Sequence, residues 1–209
     1  NKAPDSVHWF GTDDLGRDVF SRIIYGTRTS LTIGVASILI ALLFGGLLGI
    51  TAGYFKGKVD AVIMRVCDVL LSIPSTLLAI AIVASLGNGI NNLILAISIA
   101  NIPIFARIIR SSVLSVNEKQ FIEASNALGA TNFRIIFRHV IPNVISPIIV
   151  QSTMGVATAI LSAAGLGFIG LGVEPAVAEW GTMLSLGKSY IRTHQFLTFY
   201  PGIIIMLTI

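Results

Sequence analysis

Three carboxylates crowd the N-terminal segment at Asp13, Asp14 and Asp18, and three histidines stand at His8, His139 and His194. Carboxylates and imidazoles are the side chains that hold metal ions or move protons. Neither set has a spacing that suits such chemistry. Arg17 and Arg22 lie among the carboxylates, so salt bridging and helix capping account for that cluster. The histidines are scattered, with no His-Glu-x-x-His or paired-cysteine pattern, and the single cysteine, Cys67, has no intrachain partner. The chain also lacks a Gly-x-x-x-x-Gly-Lys-Ser/Thr phosphate loop, so it is not expected to hydrolyse ATP. No catalytic residue, metal ligand or bound cofactor is predicted.

The residues best placed to do work are in a polar island, Glu118 to His139, between two strongly apolar stretches. Glu118 to Leu128 reads as a helix with Phe121, Ile122, Ser125 and Leu128 near one face and Glu118, Lys119 and Glu123 near the other. Gly129 permits a sharp turn. Asn132 to His139 reads as a second short helix, exposing Phe133, Ile136 and Phe137 beside Arg134 and Arg138, and Pro142 marks the start of the next apolar run. Two aromatic side chains on a short helix suit a helix-in-groove contact, and flanking arginines pair with acids around such a groove. A basic amphipathic helix lying on lipid is the other reading of the same pattern.

The elements that carry this island are membrane spans. Of the 209 residues, 54% are hydrophobic and 11% charged, against about 25% charged in soluble domains. Mean hydropathy is +0.86. The net charge of +4 comes from residues at span ends and forms no stripe, so nucleic acid is not an expected partner. A spanning helix needs roughly 20 mainly apolar residues. Leu31–Gly53, Val69–Leu86, Asn91–Ala106 continuing to about Leu114, and Val144 to about Leu166 qualify, and a fifth run begins near Phe196. No basic n-region followed by an apolar h-region opens the chain, and both ends look cut, so it reads as a fragment of a longer membrane protein. Counting Lys and Arg at the span ends places Lys56, Lys58, Arg65 and the island in the cytoplasm. The N-terminal segment, the Gly87–Asn92 turn and the Gly167–Gln195 segment then face outward.

Small and aromatic residues add two candidates. Gly45, Gly49 and Gly53 recur every four residues and line one helix face. Such a face suits a seam within or between subunits, or reflects the general small-residue content of membrane helices. Gly165, Gly167, Gly170 and Gly172 are expected to end the fourth span. Trp180, in the outer segment, is a candidate contact for an external protein or an outer gate, or else part of an interfacial aromatic belt. The span centres carry no charge. Ser72, Ser98, Thr158 and Ser162 are mild and expected to bond within their own helices. Gradient-driven transport, which usually buries ionisable groups at mid-membrane depth, is therefore not supported, and energy for any movement must enter through a partner.

The island resembles the EAA loop of type I ABC importer permeases. Their pattern is Glu-Ala-Ala, three residues, Gly, nine residues, Ile, one residue, Leu-Pro. Glu123, Ala124, Gly129 and Pro142 match. Ser125 replaces the second alanine, while His139 and Ile141 stand where isoleucine and leucine are usual. Phe10–Val19, Arg22–Ser30, Ala52–Phe55, Met64–Arg65, Gly167–Gly172 and Glu179–Met183 are similar to the peptide and nickel subfamily, specifically the second of its two permease subunits.

The resemblance implies an all-α polytopic transmembrane bundle with about five spans here and a cytoplasmic coupling helix. Residues 1–28 would be an extracytoplasmic segment, and 29–209 a type I transmembrane domain truncated at its C-terminus. It implies a multi-pass subunit of a prokaryotic cell membrane. Its partners would be a second permease, two ATP-binding cassette subunits holding ATP and Mg, and an extracytoplasmic substrate-binding protein. Glu123, Ala124, Ser125, Gly129, Phe133, Phe137 and Arg138 would couple to the ATPase, and the cargo would be dipeptides or oligopeptides. Nickel or another solute is an alternative cargo. A membrane scaffold docking some other cytoplasmic partner is the alternative of a different class.

Overall fold

The computed structural model describes residues 2–209. Among them the regular structure is helical, with one isolated bridge between Thr12 and Asp18. Three helices are long and apolar enough to cross a membrane: Val19–Phe55, Ile90–Asn117 and Asn132–Phe168. A bent pair, Gly57–Leu71 with Ser75–Leu86, makes up to four spans.

Helix α1 (Val19–Phe55) has 37 residues and is about 55 Å long at 1.5 Å per residue. It begins well before Leu31, so the boundary expected at residue 28 falls inside it. Charge near its start is tolerated because it is paired. Arg22, only 8% exposed, lies 3.8 Å from Asp13 and donates to the carbonyls of Pro175 and Val177.

Helix α1 ends at Lys56, whose φ of 54° makes it the one non-glycine residue with positive φ among the described residues. The chain then enters α2 (Gly57–Leu71), which bends by 81° into α3 (Ser75–Leu86). The span expected over Val69–Leu86 therefore straddles a break. Pro74 supplies the reason: it has no N–H to donate and disfavours helical backbone at Ile73. Helix α4 (Ile90–Asn117) follows, with Pro103 inside it.

The island comprises α5 (Gln120–Ala127), a turn, and α6 (Asn132–Ile135). The helix after the turn does not stop at Pro142, as the sequence pattern suggested. A π turn, Ile136–Val140, carries it into α7 (Ile141–Phe168), so that Asn132–Phe168 runs as one helix. Pro142 cannot donate to the carbonyl of Arg138, and the ladder slips by one residue: the Ile141 N–H bonds to Ile136 O. Gly165 and Gly167 lie within the last turn of α7, and Gly170, with φ 88°, closes it as the glycine pattern led one to expect, the Leu171 N–H bonding to Leu166 O at 2.9 Å. An irregular segment then leads to α8 (Trp180–Gly187), a 3₁₀ turn at Lys188–Tyr190, and α9 (Phe196–Thr208).

Packing divides the chain into two compact units. One gathers the N-terminal stretch through Ser37, Thr76–Ile97 and Val156–Ile209. Its core joins Val19, Ile23, Met183 and Leu197, with Phe10 stacked on Tyr200 at a centroid distance of 3.9 Å. A neighbouring cluster holds Ile160, Ala164, Trp180 and Ile205. The other unit, Ile38–Ser75 with Ser98–Gly155, contains the island.

Candidate docking site

The turn between α5 and α6 is built by hydrogen bonds that close the end of α5. The N–H of Gly129 reaches Asn126 O at 2.9 Å, and that of Ala130 reaches Ser125 O at 3.1 Å. This paired closure needs a left-handed residue at its centre, which Gly129 provides with φ 77°. Thr131 then caps α6, accepting from the Arg134 N–H at 3.4 Å.

The two short segments bury alternate sides. Ile122 and Ile135 are 4% and 0% exposed and anchor the loop from beneath. Phe133 and Phe137 are 71% and 56% exposed, with ring centroids 4.3 Å apart. Leu128, placed on the apolar face of α5 by its periodicity, is 88% exposed because it lies beyond the end of that helix. Ile136 is half-buried and not part of the exposed patch. Ser125 donates to Phe121 O at 2.7 Å, and the Phe121 ring lies 6.2 Å from that of His139. Glu123, Ala124, Arg134 and Arg138 face solvent, and none of the three charged groups has an ion-pair partner among the described residues. An apolar aromatic pair flanked by free cations is a surface suited to an acidic-rimmed groove.

Two contacts tie the loop to α1. Asn117 Nδ2 donates to Gly53 O at 3.1 Å, and the Tyr54 hydroxyl donates to Asn132 Oδ1 at 3.0 Å. The glycine face of α1 lies against α4 in the same unit. A Cβ at Gly45 would stand 2.6 Å from Ile102 O, one at Gly49 2.6 Å from Ala106 O, and one at Gly53 2.8 Å from Val113 Cβ. The seam they form is therefore within the chain, where any larger residue would push the backbones apart.

Charge pairing within the helices was not anticipated from sequence. Arg110 engages both oxygens of Asp60, and Arg107 Nη2 lies 2.6 Å from Asp68 Oδ1. The residues are separated by 50 and 39 positions. The one signal was spacing: Arg107 and Arg110 stand about one helical turn apart, and Asp60 and Asp68 about two. Ser72 and Ser162 bond to carbonyls of their own helices, at Val69 and Thr158.

The N-terminal carboxylates and Trp180 resolve differently. Trp180 is 1% exposed, with its indole N–H donating to Ile23 O at 3.1 Å. A docked protein needs an exposed indole, so the expectation of a direct external contact through Trp180 does not fit, and neither does a place in an aromatic belt. Glu179 is also 1% exposed and caps α8, accepting from the N–H groups of Gly181 and Thr182. The N-terminal carboxylates form local structure. Asp13 pairs with Arg17 at 2.7 Å. Asp18, just before α1, accepts from the Ser21 N–H at 2.8 Å and lies 3.0 Å from His8 Nδ1. Burial pushes the Asp18 pKa up, but the hydrogen bonds from Ser21 and His8 outweigh it and hold the carboxyl below its ordinary value. The described residues hold no cluster of metal-ligating side chains.

The chain matches the family model described as binding-protein-dependent transport system inner membrane component over residues 45–209. It is 50% identical over 208 residues to the dipeptide transport system permease protein DppC of Alkalihalophilus pseudofirmus, covering 100% of this chain and 68% of that protein. It is 43% identical over 209 residues to the glutathione transport system permease protein GsiD of Pectobacterium atrosepticum, covering 100% and 69%. Among solved structures, an inward-facing MetNI methionine ABC transporter superposes with a TM-score of 0.73 at 18% identity, covering 90% of this chain and 92% of that one. This structural likeness shows the shared fold. The chain belongs to the binding-protein-dependent transport system inner membrane component family, and is a transmembrane permease subunit of that type.

Proposed function

We propose that this chain is one of two permease subunits of an ATP-driven importer of short peptides in a prokaryotic inner membrane. The observation that carries the cargo is that its relatives at 50% and 43% identity are named for transport of a dipeptide and of glutathione, both short peptides. A second permease subunit, two ATPase subunits and an external binding protein complete the machine. The chain itself performs no hydrolysis. ATP and its magnesium belong to the ATPase partners, and the island faces the cytoplasm to meet them.

The geometry of the loop supports this division of labour. Phe133 and Phe137 project from a short helix held from below by Ile135, and Gly129 sets the angle between α5 and α6. Burying each ring in a partner groove contributes about 1.5–3 kcal/mol. Through that grip, closure of the ATPase pair would displace α6 and, with it, the continuous helix through α7. Such a displacement is a rigid-body switch driven by a remote ligand.

The test is reconstitution of the complete complex in proteoliposomes with labelled dipeptide outside and ATP inside. Uptake that requires ATP, the binding protein and this subunit is the expected result. Phe133→Ala with Phe137→Ala is expected to release the ATPase subunits during purification while leaving the permease folded. Uptake that persists without ATP, or an ATPase that stays bound to the double variant as tightly as to wild type, overturns the proposal.

A further inference from the structure

The docking loop stands on two successive residues of another helix. Asn117, the last residue of α4, donates to the carbonyl of Gly53 at 3.1 Å. Asn132, the first residue of α6, accepts from the hydroxyl of Tyr54 at 3.0 Å. Gly53 and Tyr54 lie in the last turn of α1. Everything between the two asparagines is α5, the Gly129 turn and the cap of α6.

The two feet differ mechanically. At Gly53 the last turn of α1 is pressed on α4, with a Cβ there 2.8 Å from Val113 Cβ and 2.9 Å from Arg110 O. Close packing of this kind lets α1 and α4 move only together. The other foot lies beyond Gly129, the residue about which α6 turns relative to α5. There the Tyr54 hydroxyl spans from α1 to α6 through a side chain at the surface. A pull on Phe133 and Phe137 displaces Asn132, which is in the same helical segment, and the hydrogen bond passes that displacement to the end of α1. Without it, α6 is free to pivot at Gly129 while α1 stays with α4.

We infer that Tyr54 and Asn132 are positioning residues that transmit movement of the docking helix into α1. The inference rests on the reading that the α5–α6 loop docks an ATPase subunit. An exposed hydrogen bond of this kind adds little to the stability of the fold, so its removal reads transmission and not folding.

The experiment uses the complete transporter in proteoliposomes and compares wild type, Tyr54→Phe, Asn132→Ala, the double variant and Asn132→Asp. Dipeptide uptake and ATP hydrolysis are measured on the same samples. Tyr54→Phe and Asn132→Ala are each expected to lower uptake about fivefold, the equivalent of one lost hydrogen bond. Complex assembly and stimulated ATP hydrolysis should stay within about twofold of wild type, so that more ATP is spent per peptide. The double variant should be no worse than the poorer single one, because both remove the same contact. Asn132→Asp keeps the acceptor and should retain uptake. Wild-type uptake by Tyr54→Phe overturns the inference, as do losses that multiply in the double variant or ATP hydrolysis that falls in step with uptake. Failure of the wild-type complex to retain its ATPase subunits overturns the docking reading, and this inference with it.

Discussion

Asp60 and Arg110 hold each other at two points, the guanidinium engaging both carboxylate oxygens across 50 positions of sequence. The pair fastens α2 to α4. Their side chains are 17% and 29% exposed, while those of Asp68 and Arg107 are 53% and 55% exposed. Burial decides which pair matters. Asp60→Asn is expected to destabilise the purified permease by about 1–3 kcal/mol, since it strands a partly buried cation. Asp68→Asn should cost less than about 1 kcal/mol. Thermal unfolding in detergent separates them, and equal losses would contradict the ranking.

The glycine seam supplies its own control. At Gly49 a Cβ would meet Ala106 O at 2.6 Å, whereas at Gly46 the nearest atom is Ile109 Cδ1 at 3.7 Å. Gly49→Ala is expected to lower stability by about 1–3 kcal/mol, because backbone and not a flexible side chain stands in the way. Gly46→Ala should be close to neutral. The same unfolding assay reads both, and a seam that accepts Gly49→Ala without loss is not closely packed.

Gly129 tests the α5–α6 loop. Its φ of 77° disfavours a β-branched residue by about 1–2 kcal/mol. A Gly129→Val variant should insert and fold, because no atom lies within 4 Å of a Cβ there, yet turn α6 to a wrong angle. The expected outcome is ATP hydrolysis that continues while uptake falls. Normal uptake would show that the turn is not needed.

The cap of α1 carries a pH dependence whose sign follows from Asp18. Its folded pKa lies below the ordinary 3.8, so its stabilisation is present above that ordinary value and is lost as pH falls through the lowered one. Asp18→Ala should cost about 1 kcal/mol at neutral pH. The difference between variant and wild type should persist through mild acid and vanish only below 3.8. Parallel unfolding curves across pH measure it, and a difference that disappears near neutrality would contradict the assignment.

The split in exposure within the island shows how far pattern carries. Helical periodicity and Gly129 located the two segments and the turn, because these depend on near neighbours along the chain. Periodicity did not separate Ile135, which is buried, from Ile136, which is half-exposed, since burial depends on what packs against the face. Pro142 looked like a boundary, yet the helix continues through a π turn to Phe168. A missing donor permits either outcome, and packing along the rest of the helix selects between them.

The amino-acid sequence by itself determined the apolar spans, the polar island, the helix face of glycines four residues apart and the absence of phosphate-loop or metal-binding patterns. Those follow from composition and from spacing within one helix. Tertiary structure alone decided the burial of Trp180 and Glu179, and the partners of Asp60, Asp68 and Tyr54. Each joins residues far apart in the chain or depends on a neighbour's shape, and no local pattern of residue types specifies which distant side chain will stand within hydrogen-bond reach.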